Sequence, residues 1–144
     1  MLNIMTVEDN LSYREALKNN LLSQLPSTKI IEAANGDEAF RRLSSNPTDF
    51  VFMDISLPGE NGLELTRKIK AKYKDVTIAM LTSYDMEEYR EAAARCGADC
   101  FITKDSIKWG QISAMIRCFQ RAKDSLGLKP SCVRLASESG LKSW

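Results

Sequence analysis

Several side chains in this sequence are of types that could act together: adjacent carboxylates at Glu8 and Asp9, a third at Asp54, hydroxyls at Thr82 and Ser83, and an amine at Lys104. Each follows directly on a short apolar run. Carboxylates gathered in one place repel: two unit charges about 5 Å apart at an effective dielectric of about 20 cost roughly 3 kcal/mol, or about two pKa units. A proton, the Lys104 ammonium or a hard divalent cation must offset that repulsion, and an oxygen-only site that keeps several waters suits Mg2+ best. Such a cation can bridge the carboxylates to an incoming phosphoryl group and offset its charge, the main task in phosphoryl transfer. A carboxylate can itself attack phosphorus to give an aspartyl phosphate. Asp54, at the tip of a wholly apolar run, is the best placed nucleophile.

Each group taken alone has a plainer role. Asp9 could cap a helix, Glu8 could be solvated, and Asp54 could cap the loop holding Pro58 and Gly62. Thr82 could be a turn hydroxyl and Lys104 a surface amine. Their joint placement is what favours a site, and it depends on the elements that carry them.

Those elements alternate. Short runs rich in branched residues, Leu2 to Val7, Lys29 to Ala33, Asp49 to Met53, Val76 to Leu81 and Asp99 to Thr103, are each followed by a segment of helical period. The pattern predicts an α/β fold, a parallel sheet covered by helices. The first, third and fourth runs are almost continuously apolar, as strands buried on both faces must be, and should be central. Leu17, Leu21 and Leu25 form one helical stripe, Leu65, Ile69 and Tyr73 another, and Ile112, Met115, Ile116 and Phe119 a third. Asn35-Gly36-Asp37 should open the second helix, and Ser45-Asn46-Pro47 should close it. Right-handed crossovers then deliver every loop that follows a strand to one edge, where ligands of open sheets bind. Two acids, a third acid, a hydroxyl and an amine arrive there from four different strands.

Composition narrows the options. At 144 residues the chain is the size of one domain of about 100 to 200 residues. Twenty basic and nineteen acidic side chains leave a net charge of +1, which argues against direct nucleic-acid binding. The absence of histidine removes any Ser-His-Asp triad and every imidazole metal site. Cys96, Cys100, Cys118 and Cys132 show no paired spacing and are expected to be reduced thiols. No long apolar run or basic leader appears, so a cytoplasmic protein without a membrane anchor is expected.

Glu8-Asp9, the segment Asp54-Ile55-Ser56-Leu57-Pro58-Gly59-Glu60-Asn61-Gly62, Thr82-Ser83, and Phe101 three residues ahead of Lys104 together resemble the response-regulator receiver domain of two-component signalling. The resemblance covers about residues 2 to 122. It implies a flavodoxin-like, doubly wound, five-stranded parallel sheet in the order 2-1-3-4-5 with helices on both faces. It also implies that Asp54 takes a phosphoryl group from a phosphohistidine of a sensor histidine kinase. Asp9, Asp54 and the Ser56 carbonyl would ligate Mg2+, with Glu8 acting through water, and Lys104 would pair with the phosphoryl oxygens. Thr82 would swing toward the phosphoryl group and Phe101 would move into the space it vacates. That movement would reshape the surface of the fourth helix, fifth strand and fifth helix, where such domains meet partners or form homodimers. Ser56 and Tyr84 match positions that tune phosphoryl lifetime in this family.

Two departures matter. Glu8 replaces the commoner aspartate, and Asp105 rather than proline follows Lys104, so no cis peptide is expected there. Lys104-Asp105-Ser106 resembles the subclass that precedes a helix-turn-helix output. The residues from Lys123 to Trp144 fall short of the roughly 40 that an unaided domain needs, so residues 1–122 are expected to be the receiver and 123–144 a tail or linker remnant. The chain would then be a stand-alone receiver or one separated from its output, acting on a downstream protein target. It would catalyse its own phosphorylation and dephosphorylation and turn over no external substrate. The alternative is a receiver-like protein-binding scaffold that is never phosphorylated. A phosphatase would place an acid at Ser56, and a flavin carrier would not place Glu8 and Asp9 where a phosphate must sit.

Overall fold

The computed structural model describes residues 2–83, 86–104 and 108–126, the backbone alone at 119, 120 and 122–126. Among the described residues five strands alternate with five helices: β1 (Asn3–Val7), α1 (Leu11–Gln24), β2 (Lys29–Ala33), α2 (Gly36–Ser45), β3 (Phe50–Asp54), α3 (Gly62–Lys72), β4 (Thr77–Thr82), α4 (Glu87–Arg95), β5 (Cys100–Thr103) and α5 (Trp109–Leu126). All neighbouring strands are parallel, in the order β2-β1-β3-β4-β5. This is the expected sheet, with β1, β3 and β4 inside it. Every residue of β3 and β4 is buried, which is why those segments read as unbroken apolar runs.

Alternation along the strands splits the core in two. Met5, Val7, Met53, Ile78 and Phe101 face Leu65 and Ile69 of α3 and Ala93 of α4. Ile4, Phe50, Phe52, Leu81 and Ile102 face Leu17 and Leu21 of α1 and Ile112, Met115 and Ile116 of α5. The helical stripes are therefore core, although Leu25 and Tyr73 fall at helix ends and are only partly buried. The side chain of Phe119 lies outside the described residues.

Local chemistry sets where the helices begin. Asn10, Asn35 and Asn61 are N-caps whose side-chain oxygens accept from the amides of Tyr13, Glu38 and Glu64 at 2.9–3.0 Å. Strands β3, β4 and β5 start one residue later than expected, and the residue ahead of β3, Asp49, acts as a clamp: its carboxylate accepts the Asn3 amide at 2.9 Å. Asp99 does the same for the Ile78 amide at 2.9 Å and also pairs with Lys70 at 3.1 Å.

The thiols of Cys96 and Cys118 are free, as expected. Cys100, buried in β5, is disulfide-bonded, which corrects the expectation of reduced thiols there. Expectations for Tyr84, Asp105, Ser106, Cys132, the peptide after Lys104 and the segment beyond Leu126 lie outside the described residues. Among the described residues no helix is long and apolar enough to cross a membrane.

Candidate functional site

Sheet register brings the site together. Val7 pairs with Met53, so the residues that follow them, Glu8 and Asp54, leave the sheet side by side. Thr82 pairs with Thr103, which sets Ser83 beside Lys104 on the neighbouring strands. The resulting cleft, about 280 Å³, is lined by Glu8, Asp9, Asn10, Asp54, Ser56, Ser83 and Lys104. Carboxylate oxygens of Glu8, Asp9 and Asp54 all lie within 4.8 Å of one another.

The geometry replaces the plainer readings of Asp9, Glu8 and Lys104 and keeps part of that of Asp54. Asn10, not Asp9, caps α1. Glu8 is buried rather than solvated: its backbone amide donates to the Ala33 carbonyl at 3.0 Å, and its side chain accepts the Asn10 amide at 3.2 Å. Arg14 steadies the same turn by donating to the Glu8 carbonyl at 2.8 Å while pairing with Glu32 at 3.2 Å. Asp54 accepts the Ser56 amide at 3.3 Å, a local turn contact, while its other oxygen lies 3.7 Å from the Lys104 ammonium. Lys104 is no free surface amine. It pairs directly with Glu8, lies 3.7 Å from Asp54, and is only 14% exposed.

Two carboxylates this buried cannot both ionise freely. Burial, reinforced by the hydrogen bond and charge of Glu8, pushes the Asp54 carboxyl up to about 7, with Lys104 and the Ser56 amide opposing. Burial would raise Glu8 as well, yet its hydrogen bonds with Asp54, Lys104 and the Asn10 amide hold it below the usual range. The two shifts run in opposite directions because Lys104 sits closer to Glu8 than to Asp54. An all-oxygen donor set of two buried carboxylates beside the exposed Asp9, with one lysine to offset their charge, fits a hard divalent cation.

Not every candidate faces the cleft. Thr82 is fully buried at the end of β4 and does not line it. Phe101 is also fully buried, with the Arg90 guanidinium 4.8 Å from its ring centroid. The structure adds two residues that sequence reasoning missed. Asn10 had a readable signal, a capping residue directly after the acid pair. Tyr13 had none: its ring lies 4.4 Å from the Lys104 ammonium and 6.2 Å from the Trp109 ring, contacts that only folding creates.

A doubly wound sheet with three carboxylates and a lysine at its carboxyl edge defines a class, and comparison with known proteins gives the same answer. The sequence profile of the response regulator receiver domain matches residues 4–117. The chain belongs to that family. It is 32% identical over 116 residues to the response regulator UvrY of Escherichia coli (strain K12), covering 80% of this chain and 53% of UvrY. It is 34% identical over 113 residues to the oxygen regulatory protein NreC of Staphylococcus carnosus, covering 78% of this chain and 52% of NreC. The chain thus spans about half the length of these curated relatives. Among solved structures, the response regulator TrrA of Thermotoga maritima in complex with Mg2+-BeF aligns with a TM-score of 0.71 at 33% identity, over 82% of this chain and 98% of TrrA. A LuxR-family response regulator from Aurantimonas aligns with a TM-score of 0.74 at 27% identity, over 96% and 94% of the two chains.

Proposed function

We propose that this receiver domain is a phosphoacceptor switch in which Asp54 takes a phosphoryl group from a phosphohistidine of a sensor histidine kinase. The observation that carries the reading is the approach of Glu8, Asp9 and Asp54 to within 4.8 Å at a sheet edge where Lys104 reaches Asp54 at 3.7 Å. A carboxylate oxygen of Asp54 attacks phosphorus, the new O–P bond forms as the P–N bond to the donor imidazole breaks, and the imidazole departs with the electron pair. Asp9, Asp54 and the Ser56 carbonyl would hold Mg2+, with Glu8 acting through water. When bound, the cation supplies positive charge that offsets the phosphoryl oxygens. Lys104 exchanges Glu8 for those oxygens, and Asp54 attacks as the carboxylate.

The phosphoryl group adds about −1.5 to −2 charge and strong acceptor oxygens. These draw the Thr82 hydroxyl toward the cleft, Phe101 moves into the vacated space, and the population shifts toward a second packing of α4, β5 and α5. In α4 only Ala93 is buried among the described residues, so this helix has the least packing to lose. The reshaped surface meets a downstream protein target or an output domain, or a second copy. Residues 1–122 are taken as the receiver and 123–144 as a tail or linker, in a cytoplasmic protein that turns over no external substrate.

Incubation with a small acyl phosphate and Mg2+ tests the reading. The intact protein should gain the mass of one phosphoryl group, and Asp54→Ala should gain none. No gain in the wild type, or a gain that survives the substitution, would favour a scaffold that is never phosphorylated.

A further inference from the structure

Resting on that phosphoacceptor reading, we propose that Tyr13 is a positioning residue for the reaction: its ring face holds the Lys104 ammonium over the cleft and ties it to the start of α5. Lysine is a point charge on a flexible stem, so its usefulness depends on what confines it. Here the ammonium is pinned from two sides. Glu8 holds it by charge, and the Tyr13 ring lies 4.4 Å away, well inside the range of about 6 Å for a cation over an aromatic face.

The two partners differ in what happens when a phosphoryl group arrives. Glu8 competes with the phosphoryl oxygens for the same charge, and Lys104 must leave it. The ring has no formal charge and can keep its contact while Lys104 swings from Glu8 toward Asp54, 3.7 Å away. Tyr13 is itself fixed. Its amide donates to the Asn10 cap at 3.0 Å, and its ring packs on Trp109 with centroids 6.2 Å apart and planes tilted by 43°. Trp109 is the first residue of α5 and packs on the core shared by α1 and α5. The ring is therefore a physical link between the catalytic lysine and the helix whose surface the switch would alter.

The test compares wild type, Tyr13→Phe and Tyr13→Leu for the rate of Asp54 phosphorylation by a small acyl phosphate at saturating Mg2+, with Mg2+ affinity measured on each. All carry Trp144→Phe, so that fluorescence reports on Trp109 alone. Losing the ring should slow phosphorylation about tenfold, while Tyr13→Phe, which keeps the face, restores the rate. Mg2+ affinity, set by the carboxylates, should be the same in all three. Trp109 emission should change on phosphorylation in the wild type and in Tyr13→Phe, and not in Tyr13→Leu. A Tyr13→Leu rate equal to wild type, equal slowing in both variants, or a matching loss of Mg2+ affinity would each overturn the proposal. Wild type that takes up no phosphoryl group would instead overturn the phosphoacceptor reading beneath it.

Discussion

Gly62 lies against the backbone of Asp54 so closely that a Cβ added to it would meet the Asp54 carbonyl oxygen at 2.0 Å, while its amide donates to the Ile55 carbonyl at 2.7 Å. The first residue of α3 thus closes the loop that carries the acceptor, and only a residue without a side chain fits.

Gly62→Ala should push this loop off the end of β3. The expected cost is about 1–3 kcal/mol of folding stability, as for other overpacked sites, read from chemical denaturation. Phosphorylation by acyl phosphate should slow in the folded fraction, because the displaced group is the nucleophile's own backbone.

The raised pKa of Asp54 makes stability depend on pH. Folding moves this carboxyl to about 7, so the native state holds a proton that the unfolded chain has released, and stability falls as pH rises from about 4 to about 7. Asp54→Asn removes that loss. It should stabilise the protein above about pH 7 by on the order of 2 kcal/mol, the opposite shift of Glu8 offsetting part of the effect, and change little near pH 4. Mg2+ added to the wild type should raise the melting temperature above about pH 7 and do so less at lower pH, where it must displace the proton.

Lys104→Met tests the cation that the site keeps when no phosphoryl group is bound. It strands Glu8, which is buried and ionised, and removing one partner of such a pair costs about 3–5 kcal/mol. The loss should be largest near about pH 8 and smaller near about pH 5, where Glu8 can take up a proton instead. Denaturation curves at the two pH values distinguish this from a lost packing contact, which would be independent of pH.

Asn10→Ala removes the cap of α1 and should cost about 1 kcal/mol. Thermal melts would show it. Asn10→Asp should keep the cap, since an aspartate oxygen accepts the Tyr13 amide equally well, but it adds a fourth acid to the cleft of Glu8, Asp9 and Asp54 and should tighten Mg2+ binding.

Much of this was legible before any coordinates. Strands β3 and β4 are buried on both faces, so their sequences carry no polar interruption, and the acid, hydroxyl or amine that ends each apolar run marks the sheet edge. Boundaries were less legible by a residue, because Asp49 and Asp99 clamp neighbouring strands through contacts between residues distant in the chain. The burial of Phe101 is what its place in an apolar run implies, but that of Thr82 was not legible. Thr82 and Phe101 are fully buried and do not line the cleft, since strand alternation decides which face each side chain takes.

Hydrophobic periodicity and the residue types at strand ends determined the fold, the edge and the acidic set, because a parallel sheet with right-handed crossovers leaves one place for such groups to go. Only tertiary structure decided how those groups share charge. The upward shift of the Asp54 carboxyl, the pairing of Lys104 with Glu8 and the ring of Tyr13 beneath that ammonium all depend on distances of a few ångströms between separate elements. Such distances follow from register and packing, which no local pattern along the chain encodes.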